Sequence, residues 1–414
     1  MSMLMKIKEV DVDTPQKRQR FTIGVIGGGS TLLQHVSIFA EVGFKVVAVD
    51  VNHHFINLLK KKVVPSTDSM LNTLVKYLKD ERVTVMSNIK EAVSRSDVIA
   101  FLVQPLIGQK KRPDYSRIER ACKEMGIGLR SECLVIVAST MGPGLTESLV
   151  KETLESASGL KAGVDFGLAY SPLYVGSEIF TEKPARYKMV VSAINEQSLK
   201  IARLILYTIT PELLSVRDMK TAEAVRLFGD VYQDFSVAFV NEFARYCEEA
   251  GIDFVEVQRA VSENLHWYLP TPKIATEDKM KALYLLSEEA EAVNVKLPLL
   301  MLTGKTNEEM LRHALRLVKD ALRACDKPLR RAKVSVLGVS CQPNLKESRG
   351  SVTKKLVRMM SKKGVLVRVY DPFFSFKELT EMGYPAERTF KRAVEGADCL
   401  LVAVGHDQFK RLNL

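Results

Sequence analysis

Phe21 to Gly29 reads FTIGVIGGG, and Lys45 to Asp50 reads KVVAVD. The first run is apolar and β-branched and ends in glycines. Residues 30–42 then take helical spacing, and the second run closes on an acid 21 residues after Gly29. Strand, glycine-rich turn, helix, strand and terminal acid is the order of a dinucleotide-binding βαβ unit. Gly27 permits the tight turn and Gly29 lets the backbone approach a pyrophosphate. Ser30 and Thr31 open a helix whose unpaired N–H groups and positive dipole end suit an anion. Asp50 is placed to accept from ribose hydroxyls and to repel a 2′-phosphate, which selects NAD over NADP. One position departs from the pattern. Leu32 stands where the third glycine normally allows close helix–strand packing, so the helix is expected to sit slightly further out.

Further strand–helix alternation follows outward from this unit. Val83–Met86, Val98–Val103 and Cys133–Ala138 read as strands, as does Met189–Ala193. The segments Gln104-Pro105, Ser139-Thr140 and Tyr170-Ser171-Pro172 each leave a strand end, where ligands bind in open α/β sheets. The basic stretch Gln109 to Pro113 reads as a solvated loop.

Asp218 to Gly251 reads as one helix of about 32 residues, nearly 50 Å long. Asp218 is its expected N-cap and Gly251 its C′ residue. Val225, Phe228, Val231, Phe235, Ala238, Phe243, Tyr246 and Cys247 mark one apolar stripe, which widens through Leu227, Tyr232, Val237 and Val240. More than one face is therefore expected to be buried. Residues 253–325 continue as helices interrupted at Pro270-Thr271-Pro272. A second α/β unit begins at Lys333, with strands ending at Tyr370 and near Val404.

The chain has 414 residues, 46% of them hydrophobic and 26% charged, which suits two or three globular domains. Its opening residues lack the apolar core of a secretory signal, and no run is long and apolar enough to cross a bilayer. Six scattered cysteines form no CxxC pair and no zinc spacing, so free thiols in a reducing cytoplasm are expected and no metal site is. His53 and His54 are adjacent and offer no metal constellation. The net charge of +11 suits anionic partners, whether phosphate-bearing small molecules, nucleic acid or a membrane surface. The basic residues are dispersed and no nucleic-acid-binding motif accompanies them, which leaves a solvated basic surface or a phosphorylated small molecule.

The order of these motifs resembles the nucleotide-sugar 6-dehydrogenases, the UDP-glucose and UDP-N-acetylmannosamine dehydrogenase family, from Phe21 to the end of the chain. GVIGGG with VAVDVN, STMGPGLTE at 139–147 and YSP at 170–172 are similar to its first domain. KTAEAVRLF and NEFARYCEEAGIDFVEV at 220–257 are similar to its central helix. LGVSCQPNLKESRGS at 337–351, VYDP at 369–372 and GADCLLVAVGHDQF at 396–409 are similar to its third domain.

The resemblance implies an α/β fold: an N-terminal Rossmann domain (21–215) after a flexible tail (1–20), a central long-helix dimerisation domain (216–328), and a truncated C-terminal Rossmann-like domain (329–414) that helps bind a UDP-sugar. It further implies NAD as cofactor, a homodimer through the 218–250 helix, a UDP-sugar or related phosphorylated ligand, and no nucleic acid or membrane partner. Family members oxidise the sugar 6-hydroxyl twice through a thiohemiacetal and a thioester on a cysteine.

Carried over residue by residue, that chemistry is altered. The loop after Pro270 reads PTPKIATEDKMKALYLL, without cysteine or glycine. Asp278 falls at the nucleophile and Ala282 at the catalytic aspartate. Arg226 replaces the helix lysine and Asp230 the asparagine. Leu173 and Tyr174 replace the Glu-Arg of the YxPER pattern, and Gln342 replaces a third-domain lysine. Thr140 keeps the position near cofactor and substrate, and Tyr170 and Arg349 keep substrate-side positions. Arg226 cannot act as a proton-accepting base. Asp230 places negative charge where an oxyanion needs stabilising. Being four apart, the two are expected to pair with each other. Three readings follow: a divergent dehydrogenase using groups such as Asp278, Glu277, Lys279 or Lys281; a non-catalytic binding or regulatory homologue partnering an active enzyme; and an enzyme using another thiol, Cys247 or Cys341. His406 and Phe409 match the third domain's HDxF pattern, with either a structural or a functional histidine.

Overall fold

The computed structural model describes residues 7–51, 69–108, 110–172, 189–265, 268–275, 280–341, 343, 344, 346, 348 and 350–410. His53, His54, Leu173, Tyr174, Glu277, Asp278, Lys279, Gln342 and Arg349 lie outside the described residues. The chain divides into two compact units. The first comprises Met1–Gly229 with Tyr284–Val295, and the second Asp230–Leu283 with Lys296–Leu414.

The first unit is built on a twisted sheet. Its strands are β1 (Thr22–Gly27), β2 (Lys45–Asp50), β3 (Val83–Met86), β4 (Val98–Phe101), β7 (Leu134–Val137), β8 (Gly167–Tyr170), β9 (Met189–Ala193) and β10 (Leu213–Ser215). A small hairpin, β5 (Leu106–Ile107) with β6 (Pro113–Asp114), stands apart. The spatial order is β10-β9-β8-β7-β4-β1-β2-β3. The pairings are parallel except where β9 runs antiparallel to β8. Every residue of β4, β7 and β8 is buried. Strands covered on both faces require such continuous apolar runs, which is why VIAF and LVIV show no alternation. From β1 the chain builds outward to β3 and then returns to β4 on the other side of β1. The carboxyl ends of β1 and β4 are therefore the topological switch point, where a crevice forms.

Residues 7–20 differ from the expected flexible tail. Glu9–Asp11 and Pro15–Arg18 are short helical turns. The Arg18 guanidinium donates to the Val12 carbonyl at 2.6 Å and to the Val42 carbonyl at 2.8 Å. Val12 is buried in the core. A basic side chain that read as solvated surface instead ties the segment to the end of the first helix.

The central helix spans Met219–Ala250, 32 residues. Asp218 caps it by accepting the Thr221 N–H at 2.7 Å, and Gly251 ends it at φ +68°. Leu227, Val237, Ala238, Val240 and Cys247 are buried as expected. Val225, Phe228, Tyr232, Phe235, Phe243 and Tyr246 are not: within the single chain they are exposed, Tyr232 to 69%, and so is Phe239 beside them. The wide apolar stripe thus resolves into one face inside the chain and one face outside it.

In the second unit the helix Pro298–Ala324 lends Leu315, Val318 and Leu322 to the core of a three-stranded parallel sheet. Its strands, β11 (Lys333–Leu337), β12 (Leu366–Tyr370) and β13 (Cys399–Val402), lie in the order β12-β11-β13. At their carboxyl ends Asp371 and His406 are fully buried. Asp371 accepts the N–H groups of Val339 (2.7 Å), Ser340 (3.3 Å) and Phe373 (2.8 Å). His406 Nδ1 accepts the Asn344 N–H at 2.9 Å, which places the ring proton on Nε2, 3.2 Å from the Asp371 carboxylate. His406 is thus a satisfied structural histidine that ties the loop after β11 to the loop after β13. Asp371→Ala orphans the buried N–H groups of Val339 and Ser340, the half-buried N–H of Phe373 and one imidazole. It is expected to cost about 3 kcal/mol or more and to lower the C-terminal transition in differential scanning calorimetry. An unchanged thermogram would show that the carboxylate does not hold these loops.

Candidate functional site

The switch-point crevice begins at Gly27, the last residue of β1, which pairs in register with Asp50 at the end of β2. A Cβ on Gly27 would lie 2.8 Å from the Leu102 Cβ, so no side chain fits there. Gly28 is extended, and Gly29 opens the helix Gly29–Glu41 at φ +73°, a conformation that suits glycine. Among the described residues no side chain caps that helix, which leaves its first N–H groups at the turn open to an acceptor. Thr31 lies in the first turn, its carbonyl 2.6 Å from His35 Nδ1, and Ser30 precedes it. Asp50 is buried at the strand end, and Leu32 is fully buried in the sheet's core. Leucine at the third glycine position is thus absorbed as a core residue.

The next strand ends are joined by side chains. Thr140, half-buried, donates its N–H to Gln104 Oε1 at 3.0 Å. The buried Ser139 hydroxyl donates to the Phe101 carbonyl at 3.3 Å, and the Tyr170 hydroxyl donates to the Ser139 carbonyl at 3.1 Å. Tyr170 has no exposed surface, so within this unit it holds the loop from beneath. The structure therefore gathers Gly27, Gly29, Thr31, Asp50, Ser139, Thr140 and Tyr170 at one edge of one sheet.

Sequence reasoning missed the residue that anchors this loop from the central helix. Glu223 stands in an early turn of the central helix, and it is completely buried. Its carboxylate accepts the Gly144 N–H through one oxygen and the Thr146 N–H, at 2.7 Å, through the other. Burial pushes its pKa up to about 7, while the two N–H donors pull the other way. Glu289, on the helix Lys281–Ala292, packs its carboxyl where a side chain on Gly142 would go. Burial, with Glu288 beside it, also raises the Glu289 carboxyl. Burial next to these two acids raises the Tyr115 phenol as well. The signal available in sequence was position alone: Glu223 falls between Ala222 and Leu227 on the buried face.

Arg226 and Asp230 are half-buried and four apart on the same helix, Arg226 in the first unit and Asp230 in the second. In the second unit Asn241 mimics a strand partner for the segment after Pro272. It accepts the Lys273 N–H and donates to the Lys273 carbonyl, each at 2.9 Å. Its amide also donates to Asn307 Oδ1 at 3.1 Å. Thiols are absent from the crevice edge among the described residues of the first unit. Cys133 precedes β7 at the opposite end of the sheet, and burial pushes the Cys122 thiol up to about 12. Among the described residues no three His, Cys, Asp or Glu side chains group as metal ligands, and no helix is long and apolar enough to cross a membrane.

A mainly parallel sheet with a glycine turn, an open helix N-terminus and an acid at the end of β2 defines a dinucleotide-binding α/β protein. The sequence belongs to the UDP-glucose/GDP-mannose dehydrogenase family. Its NAD binding domain matches residues 21–210, its central domain 220–309 and its UDP binding domain 335–414. The chain is similar to UDP-N-acetyl-D-mannosamine dehydrogenase of Pyrococcus horikoshii, 26% identical over 394 residues that cover 94% of this chain and 91% of the relative. It is likewise similar to GDP-mannose 6-dehydrogenase of Pseudomonas putida, 26% identical over 90% of this chain and 88% of that one. Among solved structures, the Pyrococcus horikoshii UDP-D-ManNAc dehydrogenase superposes with a TM-score of 0.84 at 25% identity, covering 95% of this chain and 91% of that one. A UDP-glucose dehydrogenase from Pyrobaculum islandicum shares the fold, with a TM-score of 0.85 at 22% identity and 95% and 92% coverage.

The cofactor is NAD, and the residues present fit it: a turn with no room for side chains, an uncapped helix and an acid at the second strand end. Gly27→Ala forces the added methyl onto Leu102. It is expected to weaken NADH binding about ten-fold or more, roughly 1.4 kcal/mol, by fluorescence titration. Unaltered affinity would place the dinucleotide elsewhere.

Proposed function

We propose that this protein binds NAD and a nucleotide sugar, as its family does, but does not carry a sugar through the four-electron oxidation to an acid. The observation that carries this reading is the absence of any cysteine between Cys247 and Cys325, a span that includes the whole loop after Pro270. Thioester chemistry needs a thiolate, and Asp278 at the corresponding position would offer only a carboxylate. Arg226, always protonated, supplies fixed positive charge but takes no proton. Asp230 reverses the sign of the charge that an oxyanion requires.

NAD, when bound, accepts a hydride. On this reading Gly27, Gly29, Ser30 and Thr31 hold its pyrophosphate, Asp50 its ribose hydroxyls, and Ser139 and Thr140 line its substrate side. Tyr170 supports that loop, and Arg349 contributes on the sugar side. The names of the relatives, which include UDP-N-acetyl-D-mannosamine, UDP-glucose and GDP-mannose dehydrogenases, support a UDP-sugar or related ligand. The simultaneous change at Arg226, Asp230, Asp278 and Ala282 favours a second reading, a non-catalytic homologue that partners an active enzyme. The two separate on turnover. With NAD and a panel of UDP- and GDP-sugars, the first allows at most two electrons per sugar and no uronate, and the second allows no rise at 340 nm. Asp278→Cys is expected to rescue nothing under either, because the loop glycines and the helix pair are changed too. Uronate formation by the unaltered protein would sink both.

The exposed aromatic face of the central helix supports a homodimer. Phe228, Tyr232, Phe235, Phe239, Phe243 and Tyr246 recur at three and four, a stripe that a second copy can cover. Light scattering is expected to give a dimer for the natural chain and a monomer for a Phe228→Asp, Phe235→Asp double variant. A dimer that survives both charges would move the interface off this helix.

A further inference from the structure

The hydrogen bond from the Thr140 N–H to Gln104 joins two loops at the crevice edge, and a segment from much later in the chain touches both. Tyr284–Val295 belongs to the first unit, although the residues on either side of it belong to the second. Beyond Gln104 the chain enters the β5–β6 hairpin, whose turn meets this segment twice. The Lys111 ammonium stands 5.6 Å from the centre of the Tyr284 ring, and Arg112 pairs with Glu291 at 3.7 Å. Both members of that ion pair are well exposed, so it steers the segment without holding it.

Beyond Thr140 the contact is closer. Met141 is buried in the sheet's core, and the next residue, Gly142, leaves a notch that Glu289 fills. A Cβ on Gly142 would stand 2.7 Å from both Cγ and Cδ of Glu289, and the three atoms nearest to it would all belong to that side chain. Leu285, four residues earlier and so on the same helical face, has no exposed surface. Gly144, two residues on, needs glycine for its backbone, which lies at φ +101°. Gly142 lies outside that region of φ, so it is the space taken by Glu289 that excludes a side chain there.

We propose that Tyr284–Val295 is a brace across the two loops that carry Gln104 and Thr140, and that Glu289, seated in the Gly142 notch, is the residue that positions it. Undocking the brace loosens both loops of the crevice edge together. A change at residue 289, far along the chain from the glycine turn, therefore acts at the strand ends. The fit is one of shape: the γ and δ carbons of Glu289 pack on bare backbone.

Amide hydrogen exchange measured by mass spectrometry on the whole protein, at a single pH, tests the brace without any ligand. Gly142→Val puts branched bulk into the notch, and the position before Pro143 favours the extended backbone that valine also favours. Exchange is expected to rise about ten-fold or more over 284–295, 104–108 and 139–146, while 189–207 of the same unit stays level. Adding Glu289→Ala to Gly142→Val moves a similar volume from one side of the contact to the other. That double variant is expected to return all three segments to within about two-fold of the natural chain. Glu289→Gln keeps the shape and should match the natural chain. Glu289→Ala alone empties the notch and should raise exchange over 284–295 several-fold. Level exchange there would overturn the proposal even if Gly142→Val alone failed to fold. A level Gly142→Val, an equal rise over 189–207, a double variant that does not recover, or Glu289→Gln behaving as Glu289→Ala would each overturn it too. A second arm rests on the reading that NAD sits at these strand ends. NADH affinity should fall several-fold in Gly142→Val and recover in the double variant. Raised exchange with unchanged NADH affinity would overturn the positioning role. A natural chain that binds no NADH would instead refute the dinucleotide reading, and the exchange arm would still decide the brace.

Discussion

Loops that leave the carboxyl edge of a parallel sheet carry backbone N–H and carbonyl groups that the strands no longer satisfy, and buried ones must find partners. In the first unit those partners are side chains: Gln104 for Thr140, Tyr170 for Ser139, and Glu223 for Gly144 and Thr146. The second unit obeys the same rule, with Asp371 and His406 holding the loops after β11 and β13, and Asn241 holding Lys273. The carboxyl edges of the sheets in both units are thus shaped by a few buried polar groups, each tying a loop that apolar packing alone would leave unfixed.

Much of this was legible in the chain itself. The glycines of GVIGGG, the acid at Asp50 and the continuous apolar strands follow from local chemistry, and the structure places them as that chemistry requires. The central helix was readable to within a residue because its cap and its terminal glycine are local signals. Periodicity could not tell an apolar face inside the chain from one left for a partner, because Phe235 and Val237 are equally apolar. Glu223 was hidden for a different reason. An acid near a helix start suits an exposed position, and only the arrival of residues 144–146 from nearly 80 positions away makes it a buried acceptor. Arg18 was missed likewise: its partners, Val12 and Val42, come from both sides of β1.

The features kept and the features changed fall into two groups. The turn, the strand ends and the loop ties of the first unit are in place. The proposed changes lie where covalent chemistry would occur, at Arg226, Asp230 and the segment containing Asp278. Binding frames and reacting groups make separate demands, since the frame needs backbone geometry while the reaction needs particular pKa values and a nucleophile. A chain can lose the second while the first continues to be satisfied.

Native mass spectrometry of the protein with NAD and a UDP-sugar, followed by identification of the released ligands, tests this separation most directly. One NAD per chain should be retained, and the sugar should be recovered as sugar or at most as its two-electron product. Release of a sugar acid together with two equivalents of NADH, or a chain that carries no dinucleotide at all, would contradict it.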